Sequence, residues 1–159
     1  MQFNPRQYSP QVKQESDLYC KLAAIELFSR HGKYKAVMTE DFYPDDRQAI
    51  YKVDLVLVDR STGKHVYGLE VERKWNWVLQ FPFPDMQFLP RKKEKLDDPF
   101  FTYGRPTHFI IFNRDATRHA VIFDHVIRGL SEKRSVKCPV RGMEDLYVIP
   151  LEDVIFDYL

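Results

Sequence analysis

Cysteine is scarce: the 159-residue chain holds two, Cys20 and Cys138. They form no CxxC pair, so a cysteine zinc site and a disulfide framework drop out, and a reducing cytoplasm is the expected compartment. Glycine is also low, at six residues. That leaves little room for long flexible linkers or glycine-cradled phosphate loops. Excess charge of either sign is missing, since 24 Lys+Arg against 23 Asp+Glu give +1. Any contact with nucleic acid must come from a local patch, not from a polycation. No apolar run approaches the ~20 residues that cross a bilayer, and no signal core is expected in residues 1–14. GxSxG, Walker, HxH and HExxH sequences are absent, so serine-hydrolase and P-loop readings have no support. What remains is 44% hydrophobic and 14% aromatic, enough for the core of one domain spanning 1–159.

The pattern predicts α/β architecture with a mixed β-sheet covered on both faces. Ser9-Pro10 reads as N-cap and first helical position. The helix is expected to run to about His31, with Gly32 as its stop and Leu18, Leu22, Ile25 and Phe28 as its apolar stripe. Strands follow over 35–42, 51–58 (YKVDLVLV) and 65–75 (HVYGLEVERKW), the last two joined as a hairpin. Residues 76–84 read as an ordered loop whose aromatics, with Trp75, fill the core. A helix lies within 85–96, with Pro90 at its start or breaking it. Strands at 107–112, 118–123 and 146–149, a short helix from Asp124 to Leu130, a basic loop over 131–142 and a closing helix over 151–158 complete the chain.

The chemistry-bearing stretch is Asp54 on one strand and Glu70-Val71-Glu72-Arg73-Lys74 on its hairpin partner. Strand alternation puts Glu70, Glu72 and Lys74 on one face and Leu69 and Val71 on the other. Carboxylates crowded in a partly buried place repel one another unless a cation sits among them. Hard oxygen donors suit Mg²⁺ or Mn²⁺. Asp54 adds another oxygen if the register sets it opposite Glu70.

Asp54, then Glu70-Val71-Glu72 on the next strand, resembles the PD-(D/E)XK nuclease superfamily, which includes restriction endonucleases and Holliday-junction resolvases. The acid at position 72 stands where that family usually has lysine, and Val53 stands where it often has proline. Glu72-Arg73-Lys74 is a second alignment of the same triplet. The resemblance implies a restriction-endonuclease-like αβββαβ core over about 10–112. It also implies Asp54, Glu70 and Glu72 as ligands of Mg²⁺ or Mn²⁺, and phosphodiester hydrolysis, chiefly of DNA. Lys74 would orient water or stabilise charge at phosphorus. Glu15, with Glu26 second, would be the acid that the first helix adds to the site. Arg73, Arg91, Lys92, Lys93 and Lys95 would bind the nucleic-acid backbone. A compact enzyme of this kind would read backbone shape, as in branched or nicked DNA, and elaborate specificity would need loops, a partner or a homodimer. Two other readings stand beside it. One is a non-catalytic relative that binds nucleic acid or a protein. The other is an interaction module docking through the aromatic loop 75–83.

Overall fold

The computed structural model describes residues 10–44, 52–97, 105–138 and 142–159. Helix α1 (Pro10–Ser29) leads into strand β1 (Tyr34–Met38) and a helical turn α2 (Thr39–Phe42). Strands β2 (Leu55–Asp59) and β3 (His65–Arg73) form the hairpin, followed by β4 (Asp85–Phe88), α3 (Pro90–Lys95), β5 (Pro106–Phe112), β6 (His119–Phe123) and α4 (Asp124–Arg128). The chain closes with β7 (Lys133–Cys138), β8 (Gly142–Pro150), a 3₁₀ turn (Leu151–Asp153) and β9 (Ile155–Phe156).

The main sheet has six strands in the order β1-β2-β3-β5-β6-β9. The pairing of β3 with β5 is parallel and its other pairings are antiparallel. The protein is therefore α/β with a mixed sheet flanked by helices. Strand β2 is buried on both faces, as its unbroken Leu-Val-Leu-Val run predicts. Leu55 and Leu57 join Leu69, Ile110 and Phe112 under α1, whereas Val56 packs with Val53 and Val58. On the other side of β5 and β6, Phe109, Ile111 and Ile122 meet Trp77, Met86, Phe88 and Ile149. The last three of these come from a second sheet, ordered β4-β8-β7.

Local chemistry explains the hairpin. The Asp59 carboxylate accepts the Ser61 and Thr62 amides at 2.8 and 3.2 Å, and Gly63 takes a φ of +70°, open to glycine without strain. Arg60 then reaches back to the end of α1, donating to the carbonyls of His31 (2.9 Å) and Phe28 (3.1 Å). The helix thus ends on side chains: His31 Nδ1 accepts the Lys33 and Tyr34 amides, and Gly32 is not left-handed.

Several expectations are corrected. Leu18 and Leu22 are about half exposed, and the buried stripe of α1 is Cys20, Ala24 and Phe28. Of the expected stripe Phe28 is in the core and Ile25 packs against it, while the small Cys20 and Ala24 let the helix lie close on the sheet in place of Leu18 and Leu22. The strand expected over 35–42 turns helical at Thr39, whose hydroxyl donates to the Val53 carbonyl at 2.6 Å. The helix expected within 85–96 is present as α3, with Pro90 at its first position, and the unexpected element is strand β4 before it. The basic loop becomes strand β7, and the closing helix becomes a 3₁₀ turn and β9 along β6. Phe156 on that strand meets Trp77 and Phe81, which belong to the core or pack against it. Ser9, Tyr51 and Arg141 lie outside the described residues.

Gly68 sits where two segments crowd the sheet. A Cβ there would stand 2.7 Å from Val53 Cγ1 and 2.8 Å from the Arg105 carbonyl oxygen. The Arg105 carbonyl is backbone next to the parallel strand and cannot swing aside. Gly68→Ala is expected to destabilise the fold by about 1–3 kcal/mol, read as a lower denaturation midpoint. An unchanged midpoint would mean that β3 and β5 are not packed this closely.

Candidate active site

The pairing of Leu55 with Leu69 sets Asp54, one residue earlier, across from Glu70. Asp54 Oδ2 accepts the Val71 amide at 3.0 Å, which fixes its carboxylate against β3. Glu70 is held well above the usual carboxylate range, first by burial, then by the charge of Asp54 and a hydrogen bond with it. Two carboxyls thus converge from neighbouring strands, and a cation between them would relieve their repulsion.

Glu72 is one step further along the same face. Its carboxylate accepts from Lys92 Nζ, which reaches over from α3. Lys74, the third residue on this face, is largely buried. Burial pulls its ammonium below the usual lysine range, the charge of Glu72 opposes that, and Lys92 adds to it. The alternating pattern therefore yields two kinds of position: a carboxyl pair at the Asp54–Glu70 end and a carboxylate flanked by two ammonium groups at the other.

The acid that α1 brings to this cluster is Asp17. Its carboxyl is raised by burial and then by the charge of Asp54. Glu15, the expected contributor, is exposed and accepts from Gln11 Nε2 at 3.2 Å. Glu26 is also exposed and lies along a different cavity, with Arg30 and Thr117. The signal for Asp17 was in the sequence. It precedes Cys20 by three residues and Ala24 by seven, so it flanks the buried stripe while remaining exposed itself.

Arg73 points to the α1 side of the sheet. Its guanidinium lies 3.8 Å from the centre of the Tyr19 ring and 4.4 Å from that of Trp75. Its Nε is buried and has no hydrogen-bond partner among the described residues. The aromatic faces hold the group in place without neutralising it. Of the expected backbone-binding residues on α3, Arg91 is exposed, and Lys92 is engaged with Glu72. Lys93 donates to the Leu130 carbonyl at 2.6 Å, and Lys95 is exposed. Lys92 and Lys93 are thus tied into the fold, which the charge run alone did not reveal. The buried Cys20 thiol, pushed up to about 11 by burial, lies beside these groups as packing.

Among the described residues, no three His, Cys, Asp or Glu side chains converge closely enough to hold a metal ion. Glu72, the expected third ligand, is turned to Lys92 instead. Among the described residues, no helix is long and apolar enough to cross a membrane. No family model, curated protein or solved structure matches the chain.

Proposed function

We propose that the protein is a metal-dependent nuclease of the PD-(D/E)XK type, with a restriction-endonuclease-like core, that hydrolyses DNA phosphodiesters in a reducing cytoplasm. The observation that carries this reading is the Asp54–Glu70 pair, two carboxyls set opposite each other on adjoining strands, with burial and the charge of Asp54 raising Glu70. The donor set fits Mg²⁺ or Mn²⁺: it consists of hard oxygens, and a divalent cation removes the repulsion that the pair otherwise carries. Asp54 and Glu70 would hold that ion, with Glu72 next along the strand. Once bound, the ion polarises a phosphoryl oxygen and lowers the pKa of water.

The other residues act on the substrate directly. Lys74 presents an ammonium in a largely dry place, where a fixed positive charge best stabilises charge growing on phosphorus. Lys92 holds the Glu72 carboxylate in position. Arg73, braced by two rings, offers its remaining N–H groups to a neighbouring phosphate. The direct test incubates supercoiled, linear, single-stranded and four-way DNA with Mg²⁺ or Mn²⁺. Cleavage that disappears in EDTA supports the reading, and no cleavage of any substrate rejects it.

The Glu72–Lys92 pair favours a second reading, a non-catalytic relative that binds nucleic acid or a protein partner, because one of the three acids is already neutralised by the chain itself. Calorimetry with Mn²⁺ separates the two. Heat that is lost on Asp54→Ala supports the enzyme, and equal heats in both proteins support the binding module.

A further inference from the structure

We propose that the cavity beside Lys74 receives a single unpaired nucleobase, so that the nuclease proposed above acts on single-stranded or frayed DNA rather than on intact duplex. This inference rests on that reading and names its substrate class. The cavity measures about 410 Å³, within the range of small-molecule sites. Lys74 and Asn76 follow β3 directly, Phe83 comes from the loop beyond, Gln87 from β4, Leu89 from the entry to α3 and Leu146 from β8. In β4 the side chains of Met86 and Phe88 are buried in the core, so alternation turns Gln87 to the opposite side.

Part of the lining matches a base, and Asp85, paired with Arg134, and Glu144 also border the cavity. Phe83 offers an aromatic ring, and Leu89 and Leu146 offer flat aliphatic contact. The carboxamides of Asn76 and Gln87 each carry donors and an acceptor, which is what the hydrogen-bonding edge of a base requires. Lys74 belongs both to this cavity and to the strand face of Glu70 and Glu72. It lies two residues beyond Glu72, about 7 Å along an extended chain. A phosphate at the carboxyl cluster therefore leaves a neighbouring base within reach of the cavity. A base in duplex DNA must be unstacked and unpaired before it can enter, and this costs least where the strand is already open.

The test measures binding and cleavage together. A fluorescent single-stranded oligonucleotide and the matching blunt duplex are titrated in EDTA, then cleaved with Mn²⁺. Wild type is expected to bind the single strand at least about tenfold more tightly than the duplex, and Phe83→Ala to reduce that ratio about tenfold, the scale of one base–aromatic stack. Gln87→Leu should reduce it several-fold, and it carries the test if Phe83→Ala does not fold. Equal affinity for the two DNAs in wild type, or an unchanged ratio in the folded variants, overturns the base pocket. Absence of cleavage despite a selective single-strand affinity overturns the nuclease reading and leaves the pocket standing.

Discussion

Glu70→Gln should abolish metal-dependent cleavage, by about 100-fold or more, and at the same time raise the melting temperature of the metal-free protein. The two effects share one cause. Glutamine keeps the shape of the side chain and its hydrogen bond to Asp54 but carries no charge, so the repulsion that burial intensifies disappears. The gain should be of order 1 kcal/mol, about 2–4 °C for a chain of this size. Its pH dependence follows from linkage. Glu70 is raised in the folded state, so the folded protein holds a proton that the unfolded chain has released. The stability this contributes is complete below the ordinary value of 4.5 and is lost as pH rises through the raised value. The variant has no such proton, so its advantage over wild type grows across that window and then levels off. Adding Mg²⁺ should narrow the gap, because it stabilises the ionised pair of the wild type alone. Equal melting temperatures in EDTA at pH 8, with equal responses to Mg²⁺, would mean that Asp54 and Glu70 do not crowd one another.

That pair was legible in the sequence because strand alternation is a strong constraint. Once residues 54–58 and 65–73 are an antiparallel hairpin, Glu70 and Glu72 must share a face, and only the register of Asp54 stays open. Leu55 opposite Leu69 closes it. The helix was less legible. A stripe of Cys20, Ala24 and Phe28 carries less hydrophobicity than Leu18 and Leu22, but its small side chains allow close approach to the sheet, and packing outweighed transfer energy. Asp17, an exposed residue at the flank of that stripe, was missed as a direct consequence. The charges on α3 were visible as a run, whereas the contacts of Lys92 with Glu72 and of Lys93 with the Leu130 carbonyl depend on long-range approach that local pattern does not encode. Strand β7 was hidden for the same reason. Its sequence KRSVKC gains order from pairing with β8, including Ser135 donating to Asp145 at 2.5 Å, more than from any apolar face of its own.

Lys74→Met and Lys92→Met should separate the chemistry from the scaffolding. Lys74 is largely buried, and burial holds its ammonium below the usual range. Its charge at neutral pH is therefore a cost to the fold. For a lysine lowered in this way, the associated stability is present above the unfolded value of 10.5 and is lost as pH falls through the folded one. Methionine fills a similar volume without a charge, so stability at pH 7 should hold or rise slightly. Cleavage should nevertheless fall about 100- to 1,000-fold, because a positive charge preorganised beside the reacting phosphate is lost. Lys92 differs. Both it and Glu72 keep about a third of their side-chain surface in solvent, 34% and 38%. Water can replace that partner, so Lys92→Met should cost less than about 1 kcal/mol. Its effect on cleavage should be the smaller one, about tenfold, since it removes a support for Glu72 and leaves the Lys74 ammonium in place. Single-turnover rates with saturating Mn²⁺, beside thermal melts of the same proteins, decide the matter. If Lys92→Met proves the more damaging to rate, the helix supplies the charge that acts at phosphorus, and Glu72 with its ion pair moves to the centre of the site.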